Sequence, residues 1–405
     1  MTAVLSDLTI IEYGDFISAP FCSKLMADLG ATVIKVEPLA GDSARRHGPF
    51  PNDAPHPERS GLYLNLNTNK LGITLDTETE TGKKLFYRLV AQADIVVENF
   101  APRELADRGL DYEHLREVNP RLIVTSVTPF GQTGPYKDYK GYAINAAALG
   151  GMSNIVGEPG REPLTPPMSL GHYQGGAVAA FATLAAAFAR DANGEGQHVD
   201  VSEAEVWATL HVGYLMSGYV YHGMQRMRSG HRTPGIYPYT ILPCKDGFMS
   251  MIAIQGFQWK RFLELVGDGA VPEWYAKEPR FQDRYEIGRK YAAEMDELLA
   301  PWLSAHTKAE IFAACREQHI PFAPVRSIDE VANDEHLGER QFFTEITHPE
   351  AGTLRYPGAP YRFSETPWAL NRPAPLLGEH NAEIYCGRLG CTSEELVKLR
   401  QTGII

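Results

Sequence analysis

The chain is short of several features that define whole classes of protein. Its five cysteines, Cys22, Cys244, Cys315, Cys386 and Cys391, form no C-x-x-C pair. An odd, scattered set is expected to be reduced thiols of a cytoplasmic protein rather than a disulfide framework. Histidine and cysteine nowhere cluster at ligand spacing, so no metal site is expected. Positive charge is scarce: 38 Lys and Arg against 50 Asp and Glu leave a formal net charge of -12. That balance argues against a nucleic-acid partner, whose phosphates need a basic surface, but not against a local basic pocket for an anionic cofactor. Long apolar runs are also missing. The most apolar stretch, 175–189, is alanine-rich and too short to span a bilayer comfortably, so it reads as a buried helix. The first seven residues show no basic-then-apolar leader, and neither export nor membrane attachment is expected.

What is present is ordinary globular material: 44% hydrophobic, 22% charged and 10% aromatic over 405 residues, enough for two cores. Residues 8–13 and 32–37 read as strands, with a helical spacing over 20–29 that stops at Gly30. This strand–helix–strand unit opens a parallel α/β sheet. Further strands are predicted at 73–75, 95–98, 122–127 and 198–201, with helices at 81–91, 112–117 and 175–189. The character changes near residue 225. Glycine and proline punctuate 230–238, a β-ribbon follows around Lys245-Asp246-Gly247, and helices are expected at 259–266, 287–304 and 308–318. A strand at 352–360 and a terminal loop and helix over 373–389 and 393–401 complete the reading. The aromatic-rich stretch 213–240, with Tyr214, Tyr219, Tyr221, Tyr237 and Tyr239, is expected to be interdomain core, with a pocket for a bulky acid as the other use.

An ordered series of segments carries a resemblance: LTIIEYGDFISAPFCSKLMADLGATVIKVEP (8–38), GDSARR (41–46), NLNTNKLGITLD (65–76), ADIVVENFAP (93–102), NPRLIVTSVTPFGQTGPY (119–136), GEGQHVDVSEAE (194–205), IPFAPVRSIDEV (320–331) and PAPLLGEHN (373–381). Together they resemble the class III CoA-transferases, the CaiB/BaiF family, along essentially the whole chain. The resemblance implies an α/β fold with a Rossmann-like large domain, a smaller α+β domain, and two chains interlocked as threaded rings. The implied division is 1–224 for the first part of the large domain, 225–330 for the small domain, and 331–405 for a return segment. It implies no permanently bound cofactor; coenzyme A and acyl-CoA enter as substrates with a small carboxylic acid.

For CoA the resemblance points to Phe16, Leu75, Asn99, Phe100, Arg108 and Lys140, with Ala19 and Pro20 near the thioester. CoA needs donors for its phosphates and an apolar slot for adenine, and such sheets bind ligands at their strand ends. Taken alone, Leu75 and Phe100 are equally good core residues, and charges such as Arg108 and Lys140 are more commonly solvated at the surface. Members such as formyl-CoA transferase carry a nucleotide-contacting arginine where this chain has Pro38. Arg45 or Arg46 is the candidate replacement, and Gly41-Asp42 reads as a structural turn placing both arginines near the CoA channel.

The family's nucleophile is an aspartate that forms an anhydride and then an aspartyl-CoA thioester. His172 stands at its position, in Gly171-His172-Tyr173-Gln174-Gly175-Gly176, where the paired glycines are expected to let backbone approach the intermediate. An imidazole has no second oxygen and cannot make that anhydride. It can serve as a general base, although a lone histidine is more often a packing residue. The family's racemases pair that aspartate with a histidine, and Tyr142 replaces the latter here, so racemisation is disfavoured. His198 and Asp200 read as structural. The chain thus resembles the aspartate-lacking subunit of two-subunit members such as succinyl-CoA:benzylsuccinate CoA-transferase, in which a paralogous partner brings the aspartate. The alternatives are an acyl-CoA enzyme using His172 as base, and a non-catalytic CoA-ester-binding protein.

Overall fold

The computed structural model describes residues 3–405. The chain divides into two compact units. One contains the residues up to Ser153, Thr165–Met224 and Gly338–Ile405; the other contains Asn154–Leu164 and Gln225–Leu337.

The first unit is built on six parallel strands: β1 (Thr9–Tyr13), β2 (Thr32–Glu37), β3 (Lys70–Thr74), β4 (Ile95–Glu98), β5 (Ile123–Thr128) and β6 (His198–Ser202). Their order across the sheet is β3-β2-β1-β4-β5-β6. Successive side chains on a strand point to opposite faces, so both faces must be covered. Ile11, Ile34 and Val96 lie opposite one another in register and enter one core with Phe86 and Leu89. Ile10, Val33 and Ile95 enter the other, with Met26 and the alanines of a long helix, Leu170–Asn193. That helix starts five residues before the apolar run read from sequence, so His172 lies in its first turn.

β3 also starts earlier than expected. Its first residue, Lys70, looks like a loop charge but is fully buried, 2.6 Å from Glu12. The open edge of β3 is closed by segments from far along the chain. Gly72 N donates to His380 Nδ1 (3.1 Å), Thr74 N to Asn381 Oδ1 (2.9 Å) and Asp76 N to the Ile404 carbonyl (2.8 Å).

The second unit has an antiparallel hairpin, β7 (Tyr239–Cys244) and β8 (Gly247–Ile252), with a short β9 (Ala323–Pro324) beside it. Met249, Met251, Trp259, Phe262 and Leu299 form its core. Residues 154–164, expected in the first domain, belong here instead. Gly230 N donates to the Gly157 carbonyl (2.9 Å) and Arg228 to the Asn154 carbonyl (3.1 Å), tying that segment to this unit. In the first unit, β10 (Phe343–His348) pairs antiparallel with β11 (Gly352–Pro357).

The expectation that 213–240 is core fails within this chain. The helix Gly213–His222 has no buried residue, and Tyr214, Tyr219, Val220, Tyr221 and Met224 are all exposed. Only Tyr237 of the tyrosines named is buried. On the long helix Phe181 and Phe188, seven residues apart and so on one face, are 75% and 81% exposed. No helix among the described residues is long and apolar enough to cross a membrane.

Candidate active site

Strand order reverses direction between β1 and β4, which opens a crevice at their carboxyl ends. A cleft of about 800 Å³ occupies that place. Its walls are the loop after β1 (Asp15 to Ser18), the segment after β4 (Asn99 to Glu104), the end of β5 and the segment Lys137 to Tyr142. His172 and Glu203 complete it.

Five of the residues singled out from sequence meet in this cleft: Phe16, Asn99, Phe100, Lys140 and His172. Phe16 holds a left-handed φ of 65°, rare for a residue with a side chain. The loop is pinned there because Phe16 N donates to Asp42 Oδ1 (3.1 Å). Asn99 clamps the same loop: Asp15 N donates to its Oδ1 (2.8 Å) and its Nδ2 donates to the Asp15 carbonyl (2.7 Å). Lys140 is exposed, as are Arg103 and Lys137 on the cleft wall.

The other four do not line it. Ala19 and Pro20 are buried in the first helix, Ser18–Ala27. Leu75 packs in the core on one sheet face. Arg108 is spent on neighbours, donating to Glu104 (2.7 Å), Glu78 (3.2 Å) and the Tyr13 hydroxyl (3.3 Å). Tyr142 lines the cleft and is exposed.

Arg45 cannot replace the cation lost at Pro38. It is 1% exposed, donates to Glu37 (2.7 Å) and Glu58 (2.6 Å), and lies 3.7 Å above the Tyr63 ring. Arg46 is exposed and donates only to the Ala40 carbonyl (3.3 Å). Gly41-Asp42 is a structural turn in which Asp42 caps Ala44 N (2.7 Å) and meets Lys35 at 2.6 Å. Lys35 also meets Glu12 at 2.6 Å. Burial alone would raise Glu12, but Lys35 and Lys70 outweigh it and hold the carboxyl below its usual range. Lys70, sharing that carboxylate with Lys35, is pulled down to about 8 by burial.

The geometry at His172 was not legible in the sequence. Its Nδ1 lies 2.7 and 2.9 Å from the two oxygens of Glu203. Glu203, at the start of a short helix capped by Ser202, is 1% exposed and has no other hydrogen-bond partner among the described residues. A carboxylate accepts, so Nδ1 donates to it, and in a neutral ring the lone pair then falls to Nε2. The Phe16 ring stands edge-on at 6.1 Å. The glycines after His172 also permit close packing. A Cβ on Gly175 would fall 2.9 Å from Glu203 Cγ, and one on Gly176 would fall 2.6 Å from the Ser18 carbonyl.

Two other carboxyls escaped sequence reasoning. Burial, then the Asp42 carboxylate, pushes Asp15 above the usual range. Glu98, buried at the end of β4, is pushed up to about 7 by burial, against hydrogen bonds from Ser126 and Phe100 N that favour its charged form. His198 bonds Ser126 Oγ (2.8 Å) and stacks on Tyr112, while Asp200 accepts from Gln132 N (2.9 Å).

Comparison with known proteins agrees with this architecture. The chain is 34% identical over 403 residues to succinyl-CoA–D-citramalate CoA-transferase of Chloroflexus aurantiacus, covering 99% of this chain and 98% of that protein. It is 33% identical to the BbsE subunit of succinyl-CoA:(R)-benzylsuccinate CoA-transferase of Thauera aromatica, covering 94% of each. The crystal structure of a CaiB/BaiF family protein from Brucella suis superposes with a TM-score of 0.85 at 30% identity, over 96% of this chain and 100% of that one. The family model of CoA-transferase family III matches residues 5–381, and with the parallel sheet and its cleft this makes the chain a member of that family.

Proposed function

We propose that this chain is one subunit of a cytoplasmic class III CoA-transferase that moves CoA from an acyl-CoA thioester, with succinyl-CoA as donor, to a free acid of the aromatic succinate type. A paralogous partner supplies the nucleophilic aspartate. The observation that carries this reading is the imidazole of His172, bound to a buried glutamate where the chemistry needs a free carboxylate. The cleft's other carboxyls are no substitute. Glu203 is enclosed, Asp15 is pushed toward its neutral form, and Glu104 is paired with Arg108. Asp107 and Asp138 lie exposed. Several relatives are named as subunits of CoA-transferases, and most carry succinyl-CoA in their names.

In this reading Phe16 and Phe100 take the apolar part of CoA, with Asn99 holding the loop between them. Arg103, Lys137 and Lys140 hold phosphate; of the two cations singled out from sequence, Lys140 keeps that role and Arg108 does not. The exposed Phe181, Phe188, Tyr214 and Tyr219 support an interlocked dimer, because an apolar surface of this kind is ordinarily covered by a partner. The test is to assay transfer from succinyl-CoA by the chain alone and by the chain co-expressed with a paralogue encoded beside it. Transfer is expected only from the pair; full activity of the lone chain removes the reading. In His172→Asp, an aspartyl-CoA adduct detected by mass spectrometry is expected if the rest of the site is intact.

The Glu203 contact favours a second reading, in which the lone chain acts on acyl-CoA with His172 as general base. Nε2 takes a proton from water as the oxygen attacks the thioester carbonyl; the C–S bond breaks and the thiolate recovers the proton. Glu203 is then a positioning residue that fixes the tautomer. Glu203→Gln is expected to lower thiol release from succinyl-CoA by roughly tenfold or more with KM unchanged, and to shift the His172 tautomer seen by ¹⁵N NMR. No thiol release by the parent chain removes this reading.

A further inference from the structure

A cavity of about 250 Å³ lies wholly within the second unit, and none of its lining residues belongs to the cleft. Arg228, Ser229, Arg232, Thr233, Tyr239 and Thr240 supply its polar lining. Among the described residues, nine buried side-chain polar atoms have no hydrogen-bond partner, and three of them belong to this one lining. They are Arg228 Nε, Arg232 Nε and Thr240 Oγ1. Thr240 is 4% exposed, so bulk water does not satisfy its hydroxyl. A buried donor without an acceptor costs about 1–3 kcal/mol, and such atoms are rare in folded proteins. Three around one space therefore call for a common partner.

Local backbone structure explains the convergence. Arg232 and Thr240 form an isolated antiparallel bridge, which puts their side chains on the same face as direct cross-strand neighbours. Thr233 N donates to the Tyr239 carbonyl (2.9 Å) and Ile241 N to the His231 carbonyl (3.1 Å), locking that register. Gly288 forms part of the lining because a Cβ there would fall 2.0 Å from the Gly235 carbonyl.

The charge balance gives the sign of the partner. Asp296 is already occupied: it pairs with Arg232, accepts from the Tyr237 hydroxyl (2.7 Å) and lies 3.9 Å from His231. Arg228 has no carboxylate partner among the described residues; its one hydrogen bond goes from Nη1 to the Asn154 carbonyl. No carboxylate lines the cavity. The space thus offers two guanidinium edges and several hydroxyls, with one cation uncompensated. An apolar guest would leave every donor unpaired, and a cation would be repelled. Guanidinium groups match the planar or tetrahedral oxygens of a small oxyanion.

We propose that this cavity is a binding site for a small oxyanion, a carboxylate of a short organic acid or a phosphate, held by Arg228, Arg232 and Thr240. The inference stands apart from the reading of the cleft, since none of its residues lines that cleft.

The test is isothermal titration of the full chain, and thermal denaturation, with sodium succinate, inorganic phosphate and sodium chloride at matched ionic strength. Saturable binding of succinate, of phosphate or of both, with a rise in Tm absent in chloride, is expected. Succinate alone identifies a carboxylate site; phosphate alone identifies a phosphate site. Arg228→Gln is expected to weaken binding by roughly tenfold or more, as loss of a charge-assisted bond does. Thr240→Val keeps the side-chain shape and removes an unpaired hydroxyl, so it is expected to fold as the parent does while binding several-fold more weakly. If neither anion binds more tightly than chloride, or if both variants bind as the parent does, water alone fills the cavity and the proposal is wrong.

Discussion

The carboxylates buried at the carboxyl ends of the sheet fall into two groups, one on each side of the point where strand order reverses. On the β1–β3 side, Glu12, Glu37 and Asp42 are matched by Lys35, Lys70 and Arg45 at 2.6–2.7 Å. On the β4–β6 side, Glu98 and Glu203 are as deeply buried, with no cationic partner but one histidine among the described residues. Burial costs an ion its hydration wherever it occurs. The first group recovers that cost through fixed opposite charges held at 2.6–2.7 Å. The second group does not: burial pushes Glu98 up to about 7, and Glu203 is left with the His172 imidazole as its one partner among the described residues. The cleft lies where the two groups meet, with Phe16, held by Asp42, on one side and His172 with Glu203 on the other.

The largest way to break this contrast is Lys35→Met, which leaves Glu12 and Asp42 buried with one shared cation fewer. Removing one partner of such a network costs about 3–5 kcal/mol. Urea denaturation should show a loss of that size, or no folded protein. Next is the pH response of Glu98. Its folded value of about 7 stands above the ordinary glutamate value of 4.5, so the native state holds the extra proton in between. Stability from this group is complete below about 4.5 and lost as pH rises through 7, a change of about 3 kcal/mol. Glu98→Gln should flatten that part of the stability–pH curve.

Smaller is His172→Ala, which leaves Glu203 without its partner and should cost about 1–3 kcal/mol. Adding Glu203→Gln should restore part of the loss; simple additivity would show that the contact carries no coupling. The smallest is Arg46→Ala. Arg46 is an exposed neighbour of the enclosed Arg45, and its loss should stay within about 0.5 kcal/mol in the same urea assay.

The apolar parts of this pattern were legible in the sequence, because β-strand and helix spacing depend on neighbours a few residues away. β1, β2 and β4 lay where their apolar runs placed them. The charged parts were not. Lys70 and Arg45 look like surface residues until a partner 58 or 8 positions away is brought beside them. Glu203 lies among Val201, Val206 and Trp207, all buried, and that setting was the available signal that its carboxylate needed a partner. Naming His172 as that partner required bridging 31 residues, which no local periodicity does. The orphaned donors around Arg228 share this character: they become visible only once the chain has closed around them.

The bond from Asp76 N to the Ile404 carbonyl, with His380 and Asn381 on the same strand edge, bears on how the protein is made. During synthesis β3 cannot gain its outer partners until residues 380–404 have left the ribosome, although β3 itself emerged some three hundred residues earlier. The second unit, whose segments all lie between 154 and 337, has everything it needs sooner. Domains fold as units while the chain elongates. The order of maturation therefore inverts the order of translation, and the first-made strands spend the longest time with an unpaired edge.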